Sequence, residues 1–465
     1  MSAENNNKNK RKAEKNINID EKNLFNENEY SKIYTSNSNE IIFFKIINNE
    51  NEFYDFQKFN LINTFQPKFS LQLFENEKIF GYKNLKILIS LTSKLFYPHI
   101  KITFDKKIDS CDEIETIFKK HFENNFTFNE NEFLDKLNQE KNFDFKDLNN
   151  NNLILKSDDK EIYFIDIIKD NFIEKNFHFQ AICNFFIDAA SFIPIYTNFW
   201  NYFVIISRKN DNKNSKDFYT IGFTSFKNFH KNIEDYTTMI SQFLILNPFQ
   251  RKGNGILLLK TIYNYLIKDE KCKEITTEDP DIEFILMRDV LIVDNLIKEK
   301  FFVEKFFNKI KLMEFSNVDE INNFDEMFLN NKENIINLAK KYKLQKNLIK
   351  RGYEILKLYF CGNKFESKFK EDKIKSFIEQ MKKDEPKKIF ENKKFGKPII
   401  FFHNDADFNI DEIIKEEINL NAFNFNEKNL KQKADVLFME YEKDIKLILP
   451  KIGKIIFEFK KTVPS

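Results

Sequence analysis

The chain has 465 residues, 42% of them hydrophobic and 56 of them Phe, which suggests two or three domains around a substantial core. Its 74 Lys+Arg and 72 Asp+Glu leave a net charge of only +2, so no global basic field argues for nucleic acid. No apolar run reaches the roughly 20 residues of a membrane span, and no hydrophobic segment opens the chain as a secretory signal, so a soluble intracellular protein is expected.

Residues 1–18 are polar and Asn/Lys-rich, and a disordered tail is expected to about residue 25. Lys8, Lys10, Arg11 and Lys12 read there either as a nuclear address or as a solvated tail. Residues 40–47, 79–90 and 99–104 read as strands, with a turn or bulge at Gly81 and Tyr82. Residues 111–122 and 130–138 have helical spacing, and the Asn run at 149–152 reads as a surface loop near a domain boundary. Next come a strand at 161–167, a helical and apolar stretch at 172–186, and Trp200 opening a strand at 202–207. A polar hairpin loop at 209–216 leads to the returning strand 219–226. The short piece Lys227-Asn228-Phe229-His230 then leads to Tyr236.

Residues 239–246 form an apolar run without breakers, as a buried strand should. Asn247-Pro248-Phe249 ends it, since proline cannot donate to a ladder. After Gln250-Arg251-Lys252-Gly253-Asn254-Gly255, apolar residues from Ile256 to Ile267 recur at helical spacing. A strand at 272–277, the acidic Glu278-Asp279-Pro280-Asp281 and a helix at 282–296 follow. Strands interleaved with helices imply an α/β layer. Beyond residue 300 the pattern is helical, with a clear amphipathic helix at 343–360. A charged, Phe-dotted region at 361–465 contains strand-like runs at 399–402 and 454–459, and no function is assigned to it.

The stretch 241–268 stands out. The chain has only 8 glycines, and two of them fall one residue apart between this strand and helix. Glycine lets backbone approach a ligand closely, and a helix N-terminus presents free N–H groups with positive dipole character. That suits a pyrophosphate, although a plain strand-to-helix turn fits the same residues. It is neither a Walker loop nor GxGxxG. The four cysteines, Cys111, Cys183, Cys272 and Cys361, form no CxxC and read as free thiols. The five histidines make no metal spacing, and no metal is expected.

The hexapeptide 250–255 fits the Q/R-x-x-G-x-G/A signature of the GCN5-related N-acetyltransferase superfamily. Longer strings narrow the resemblance. ISQFLILNPFQRKGNG, then EITTEDP and MRD, resemble the type B histone acetyltransferase catalytic subunit family. FQPKFSLQLFENEKIFGYKNLKI resembles its N-terminal domain, DAASFI with Trp200 its ETASFI…W segment, and YEIL at 353–356 its C-terminal helix. The match runs with interruptions from about residue 30 to 360.

The resemblance implies an α/β (α+β) fold. A disordered tail (1–25) precedes an N-terminal α/β domain (26–150), an acetyltransferase core with a mixed sheet (151–300) and a helical C-terminal domain (301–365). An unassigned charged extension (366–465) ends the chain. It implies acetyl-CoA as co-substrate, the tail of newly made histone H-four as acceptor, and a WD-repeat histone-binding partner. Action in nucleus and cytoplasm is implied, with neither nucleic acid nor membrane as a partner.

Carried over residue by residue, the pyrophosphate falls to Gln250, Arg251, Lys252, Gly253, Asn254 and Gly255. The pantetheine arm falls to the edge of the strand Phe243, Leu244 and Ile245. Lysine acetylation needs a neutral amine, and free lysine titrates near 10.4, so a proton must leave before attack. Glu278 stands at the family's general-base position, with Asp279 as support, although Asp279 or Asp281 is also suited to cap the helix near Ile282. Asp188 stands where the family has glutamate, one methylene longer. Trp200, Lys227, Asn228 and Phe229 match the peptide groove, with Lys227 expected to point away from a basic substrate. Glu75 and Glu77 match an acidic cluster near the tail, and read equally as a solvated acidic turn. Arg288 and Asp289 read as a structural pair that fixes the loop at 278–281. Two other functions remain: an acetyltransferase with a non-histone acceptor, and a histone-binding scaffold without turnover.

Overall fold

The computed structural model describes residues 32–148, 152–194, 200–208, 217–232, 234–299, 332–361, 370, 374–375, 378–379 and 427–462. The expectations for the N-terminal tail, most of the Asn run, the 209–216 loop and the 399–402 run lie outside them. Two compact units are present. One comprises residues 1–228 and 240–261, the other residues 229–239 and 262–465.

In chain order the first unit begins with β1 (Thr35–Asn37), α1 (Ser38–Ile41), β2 (Ile42–Ile47), α2 (Glu50–Gln57), β3 (Lys78–Phe80), β4 (Tyr82–Lys83), β5 (Lys86–Thr92), β6 (Pro98–Thr103) and β7 (Lys106–Lys107). It continues through α3 (Ile114–His121), α4 (Glu130–Glu140), β8 (Leu153–Ser157), β9 (Lys160–Asp166), α5 (Ile173–Phe186) and β10 (Trp200–Arg208). The chain then crosses between the units within β11 (Phe218–His230), β12 (Tyr236–Ile245) and α6 (Asn254–Lys268). The second unit adds β13 (Cys272–Thr277), α7 (Ile282–Leu296), α8 (Lys332–Tyr342), α9 (Lys346–Cys361) and α10 (Glu427–Thr462).

The asparagine bias has a structural use. Asn37, Asn49 and Asn129 are the N-caps of α1, α2 and α4, each side chain accepting from first-turn N–H groups. β2 pairs parallel with β5, and β5 antiparallel with β6. The larger sheet of the first unit runs β12-β11-β10-β9-β8, and in the second unit β13 lies beside the start of β12. β10 pairs antiparallel with both β9 and β11, with a bulge between Ile205 and Ile206.

Helix α5 is buried along most of its length, from Asn176 through Phe179 and Ile182 to Phe186. Phe179 packs edge-on to Phe223 of β11, and Phe185 and Phe186 pack on Phe44 of β2. One apolar core therefore serves both the β2-β5-β6 sheet and the larger sheet. At its rim Arg208 donates two hydrogen bonds to Asp144, at 2.9 and 2.8 Å, and pairs with Glu161. Burial pushes the Asp144 carboxyl up, but the hydrogen bonds and charge of Arg208, together with the Lys146 N–H and ammonium, jointly outweigh it and hold Asp144 below the usual carboxylate range.

In the second unit, Arg351 of α9 grips Asp289 of α7 through Nε at 2.9 and 3.0 Å and Nη2 at 2.8 Å. The Arg351 guanidinium lies 5.2 Å from the Tyr441 ring of α10, and the Tyr441 hydroxyl donates to Glu354 of α9. Ala434, Phe438, Ile445, Ile448 and Ile452 of α10 are buried. The far C-terminal chain therefore joins a helical layer with α7 and α9.

Four expectations change in detail. The strand placed at 40–47 begins at Ile42, because Asn37 caps a short helix before it. The piece 227–230 continues β11. The helix placed at 343–360 begins at Lys346, because Lys343 adopts φ 54° and its ammonium caps the last turn of α6 through Leu266 O at 2.7 Å. The run 454–459 is helical within α10. A short apolar run has no period to separate strand from buried helix, and α10 is stabilised by its packing.

Burial pushes His99, His121 and His178 of the first unit down to about 4. Their folded values lie below the unfolded 6.5, so their contribution is complete above pH 6.5 and is lost as pH falls through 4. Each withdraws on the order of 3 kcal/mol by pH 4. Burial pushes the Glu140 carboxyl up to about 7, against hydrogen bonds from Thr92 and the Leu95 N–H. Its contribution is lost as pH rises through 7, so it offsets about one histidine. Denaturant titrations from pH 7 to 4 should show a net loss of stability, flattened by about one proton in His178→Phe. In the second unit, Asp289→Ala leaves the largely shielded Arg351 without its carboxylate partner. It should cost about 3–5 kcal/mol in unfolding experiments, against under about 0.5 for the exposed Lys446→Ala.

Candidate functional site

The core of the site is the end of β12 and the loop into α6. Phe243 is half-buried, whereas Leu244 and Ile245 are buried. The strand ends where the Leu246 N–H donates to Ile221 O at 3.0 Å and residues 247–249 tighten into a 3-10 turn. Side chains then hold the loop by its own carbonyls. Gln250 Nε2 donates to Ile245 O at 2.7 Å, Lys252 Nζ to Pro248 O at 2.8 Å, and Asn254 Nδ2 to Phe249 O at 2.7 Å. Arg251 and Gly253 take left-handed φ values of 60° and 81°. α6 starts as the Leu257 N–H bonds Gly253 O at 3.1 Å.

A Cβ placed on Gly253 would meet nothing within 4 Å, so the outer side of the loop is open. First-turn N–H groups have no acceptor within their own helix. The result is an accessible patch of backbone donors with a positive dipole end behind it. Gly222 on β11 shapes the strand itself. A Cβ there would stand 2.6 Å from Leu244 O and 2.4 Å from Ile245 Cδ1, so only glycine lets the two strands approach this closely.

Other expected residues of the first unit gather at two places. Asp188 is exposed just beyond α5, beside Ala189 at φ 51°. The loop before Glu75 and Glu77 is tied to the same helix end, since the Lys68 and Phe69 N–H groups both donate to Phe185 O, at 2.8 and 3.1 Å. Glu75 is exposed, while Glu77 Oε1 accepts from the Ser70 N–H at 3.2 Å. Trp200 opens β10 directly opposite Lys227 of β11, with Asn228 next in the strand. The Lys227 ammonium does not point away, as expected, but stands 5.7 Å from the Trp200 ring centroid. Cross-strand pairing puts the two side chains on one face, and a cation gains by lying over an indole.

The remaining candidates belong to the second unit. Phe229 is exposed on β11. Glu278 and Asp279 are exposed just past β13, with Asp279 at φ 34°. Asp281 is the helix cap, its Oδ1 accepting from the Phe284 N–H at 2.8 Å. The pair expected between Arg288 and Asp289 is replaced by two separate contacts. Arg288 Nη1 donates to Thr277 Oγ1 at 3.0 Å, at the root of the Glu278 loop, while Asp289 holds Arg351. Successive residues on a helix face different neighbours. Burial pushes the thiols of Cys183 and Cys272 up, so neither is disposed to act as a thiolate. Sequence reasoning missed Gly222, Arg351 and the buried Gln242. A lone glycine or glutamine inside an apolar strand run was the available signal for two of them.

Residues 34–188 match the family described as "Histone acetyl transferase HAT1 N-terminus". The histone acetyltransferase type B catalytic subunit of Homo sapiens is 30% identical over 312 residues, 64% of this chain and 70% of that protein. The chain belongs to this family. The Rattus norvegicus subunit is 29% identical over 312 residues (64% of this chain, 70% of that protein), and the Candida albicans subunit 29% over 241 residues (48% and 58%). The resemblance noted in the sequence is therefore borne out, and the mixed α/β fold agrees with it. As a member of the type B histone acetyltransferase family the protein is an enzyme, and membership implies acetyl-CoA as co-substrate.

The loop residues fit that group: open backbone donors, glycine where approach is needed, and basic Arg251 and Lys252 exposed beside them. Acetyl-CoA at a hundredfold excess over its Kd should add about 2.7 kcal/mol to wild-type stability. Gly255→Asp, which sets a carboxylate among the donors, should fold and lose that protection in thermal-shift measurements. Lack of protection in the wild type would remove acetyl-CoA from this loop.

Proposed function

We propose that the protein transfers an acetyl group directly from acetyl-CoA to a lysine of the N-terminal tail of newly synthesised histone H-four, within a ternary complex. The observation that carries this reading is the open Gly253 loop at the head of α6, in a chain whose family relatives are named histone acetyltransferases. When bound, acetyl-CoA would supply an activated thioester acyl group, its C–S bond breaking as the lysine N–C bond forms and coenzyme A leaving as the free thiol.

The protein's part is to bind, orient and move a proton. Backbone N–H groups of residues 250–255 hold the pyrophosphate, with Arg251 and Lys252 adding local charge. The edge of Phe243, Leu244 and Ile245 pairs with the pantetheine arm and offers a backbone N–H to the thioester carbonyl oxygen. Glu278 takes the proton from the acceptor ammonium, directly or through one water, with Asp279 in support. Asp188 is an accessory carboxylate reaching through water. Trp200, Asn228 and Phe229 wall the groove, and Glu75 and Glu77 attract the basic tail. Lys227 limits access to the Trp200 face.

The functional division at 26–150, 151–300 and 301–365 belongs to this proposal. So do a WD-repeat histone-binding partner and residence in both nucleus and cytoplasm. Its support is the order of the family strings along the chain.

Acetyl transfer to an isolated histone H-four tail peptide tests the reading. Glu278→Gln should lower kcat by about 10²–10⁴-fold while leaving acetyl-CoA binding intact. Equal activity of wild type and variant would sink the base assignment. Binding of acetyl-CoA without transfer by either protein would favour a scaffold.

A further inference from the structure

Beside the cofactor strand stands a buried polar residue that none of these roles explains. Side chains at alternate positions of β12 face the interior, and Gln242 falls among them, between Ile240 and Leu244. It is only 5% exposed. An apolar residue there would complete the strand's pattern, and a buried amide without partners costs roughly 1–3 kcal/mol. Both ends of the amide instead have a partner. Its Nε2 donates to Ser191 O at 2.9 Å, and its Oε1 lies 3.3 Å from Ser225 Oγ, which donates to it. The same Ser225 oxygen accepts from the Gln242 N–H at 3.1 Å.

Ser191 belongs to the segment 188–193, which has no regular secondary structure and contains the left-handed Ala189. Such a stretch has no ladder or helix to fix it. Its second anchor is also a buried amide: Gln180 of α5, 1% exposed, accepts from the Ile193 N–H. Gln180 belongs to a helix and Gln242 to the strand that continues directly into Phe243. Two side chains thus fasten the backbone of this segment at Ser191 and Ile193, and one of them does so from the cofactor strand.

We propose that Gln242 is a positioning residue for acetyl transfer. Through Ser191 O it sets the 188–193 segment, and with it Asp188, in register with the strand that receives the acyl donor. The proposal rests on the function proposed above. It assigns Gln242 no contact with either substrate. The expected signature is therefore a loss in the acceptor-dependent step with donor binding preserved.

The full-length protein is compared with Gln242→Leu and Gln242→Glu. The first removes both polar contacts at similar volume; the second retains an acceptor for Ser225 and removes the donor to Ser191. Ser225→Ala keeps that donor. Hydrogen exchange without substrates should show the Ile193 amide exchanging at least tenfold faster in both Gln242 variants and near the wild-type rate in Ser225→Ala. With the histone H-four tail peptide, both Gln242 variants should lose about tenfold in kcat or gain it in peptide KM, while the Kd for acetyl-CoA stays within twofold. Unchanged exchange at Ile193, unchanged peptide kinetics or a matching loss in Ser225→Ala would each overturn the proposal. If wild type itself transfers nothing to the peptide, the proposed function fails. The exchange data then still decide whether Gln242 holds the segment.

Discussion

The first unit depends on the burial of α5. Its interior residues face apolar neighbours on nearly every side, so Asn176 and Gln180, with the unpaired carbonyls of its last turn, need partners inside the protein. Those partners build the surroundings of the site. Tyr202 donates to Asn176, His121 Nε2 meets Ala181 O at 3.0 Å, and the Lys68 and Phe69 N–H groups bond Phe185 O. Ile193 reaches Gln180. The acidic loop and the 188–193 segment are held at one end of this helix because its orphaned polar groups demand it.

Charge follows a comparable economy. Acids and bases balance over the chain, and most surface pairs contribute little. A few pairs are shielded and carry more. Arg208 holds Asp144 at the rim of the first unit's core, and Arg351 holds Asp289 in the second. The second pair lies on α7, which follows directly from the Glu278 loop and carries Arg288, which reaches Thr277. The C-terminal α10, outside the stretch that resembles the family, closes over Arg351 with Tyr441. A region without an assigned function thereby supports the helix behind the proposed base.

Most elements were legible because their signals are local. Apolar residues at helical spacing become helices such as α4 and α6, the alternating run at 99–104 becomes β6, and Pro248 ends β12 where it must. Errors came where local signals are silent or double. The 454–459 run has no period of its own and is helical within α10. Lys227 was expected to point away from a basic substrate, but its strand partner is Trp200 and its ammonium lies over that ring. Asp289 reads with its neighbour Arg288 in sequence, yet binds an arginine 62 residues away.

By itself the sequence determined the strand, loop and helix at 241–268, the family, and the identity of the candidate groups. These depend on residue type and spacing: proline lacks an N–H, glycine accepts positive φ, and ordered strings repeat a known pattern. Only the tertiary structure decided which polar groups serve as anchors. Gln242 is indistinguishable from a surface glutamine until Ser191 is seen at 2.9 Å, and Gly222 from any strand glycine until Leu244 O is seen where its Cβ would be. Such contacts join residues far apart in the chain, and burial alone gives them their energetic weight.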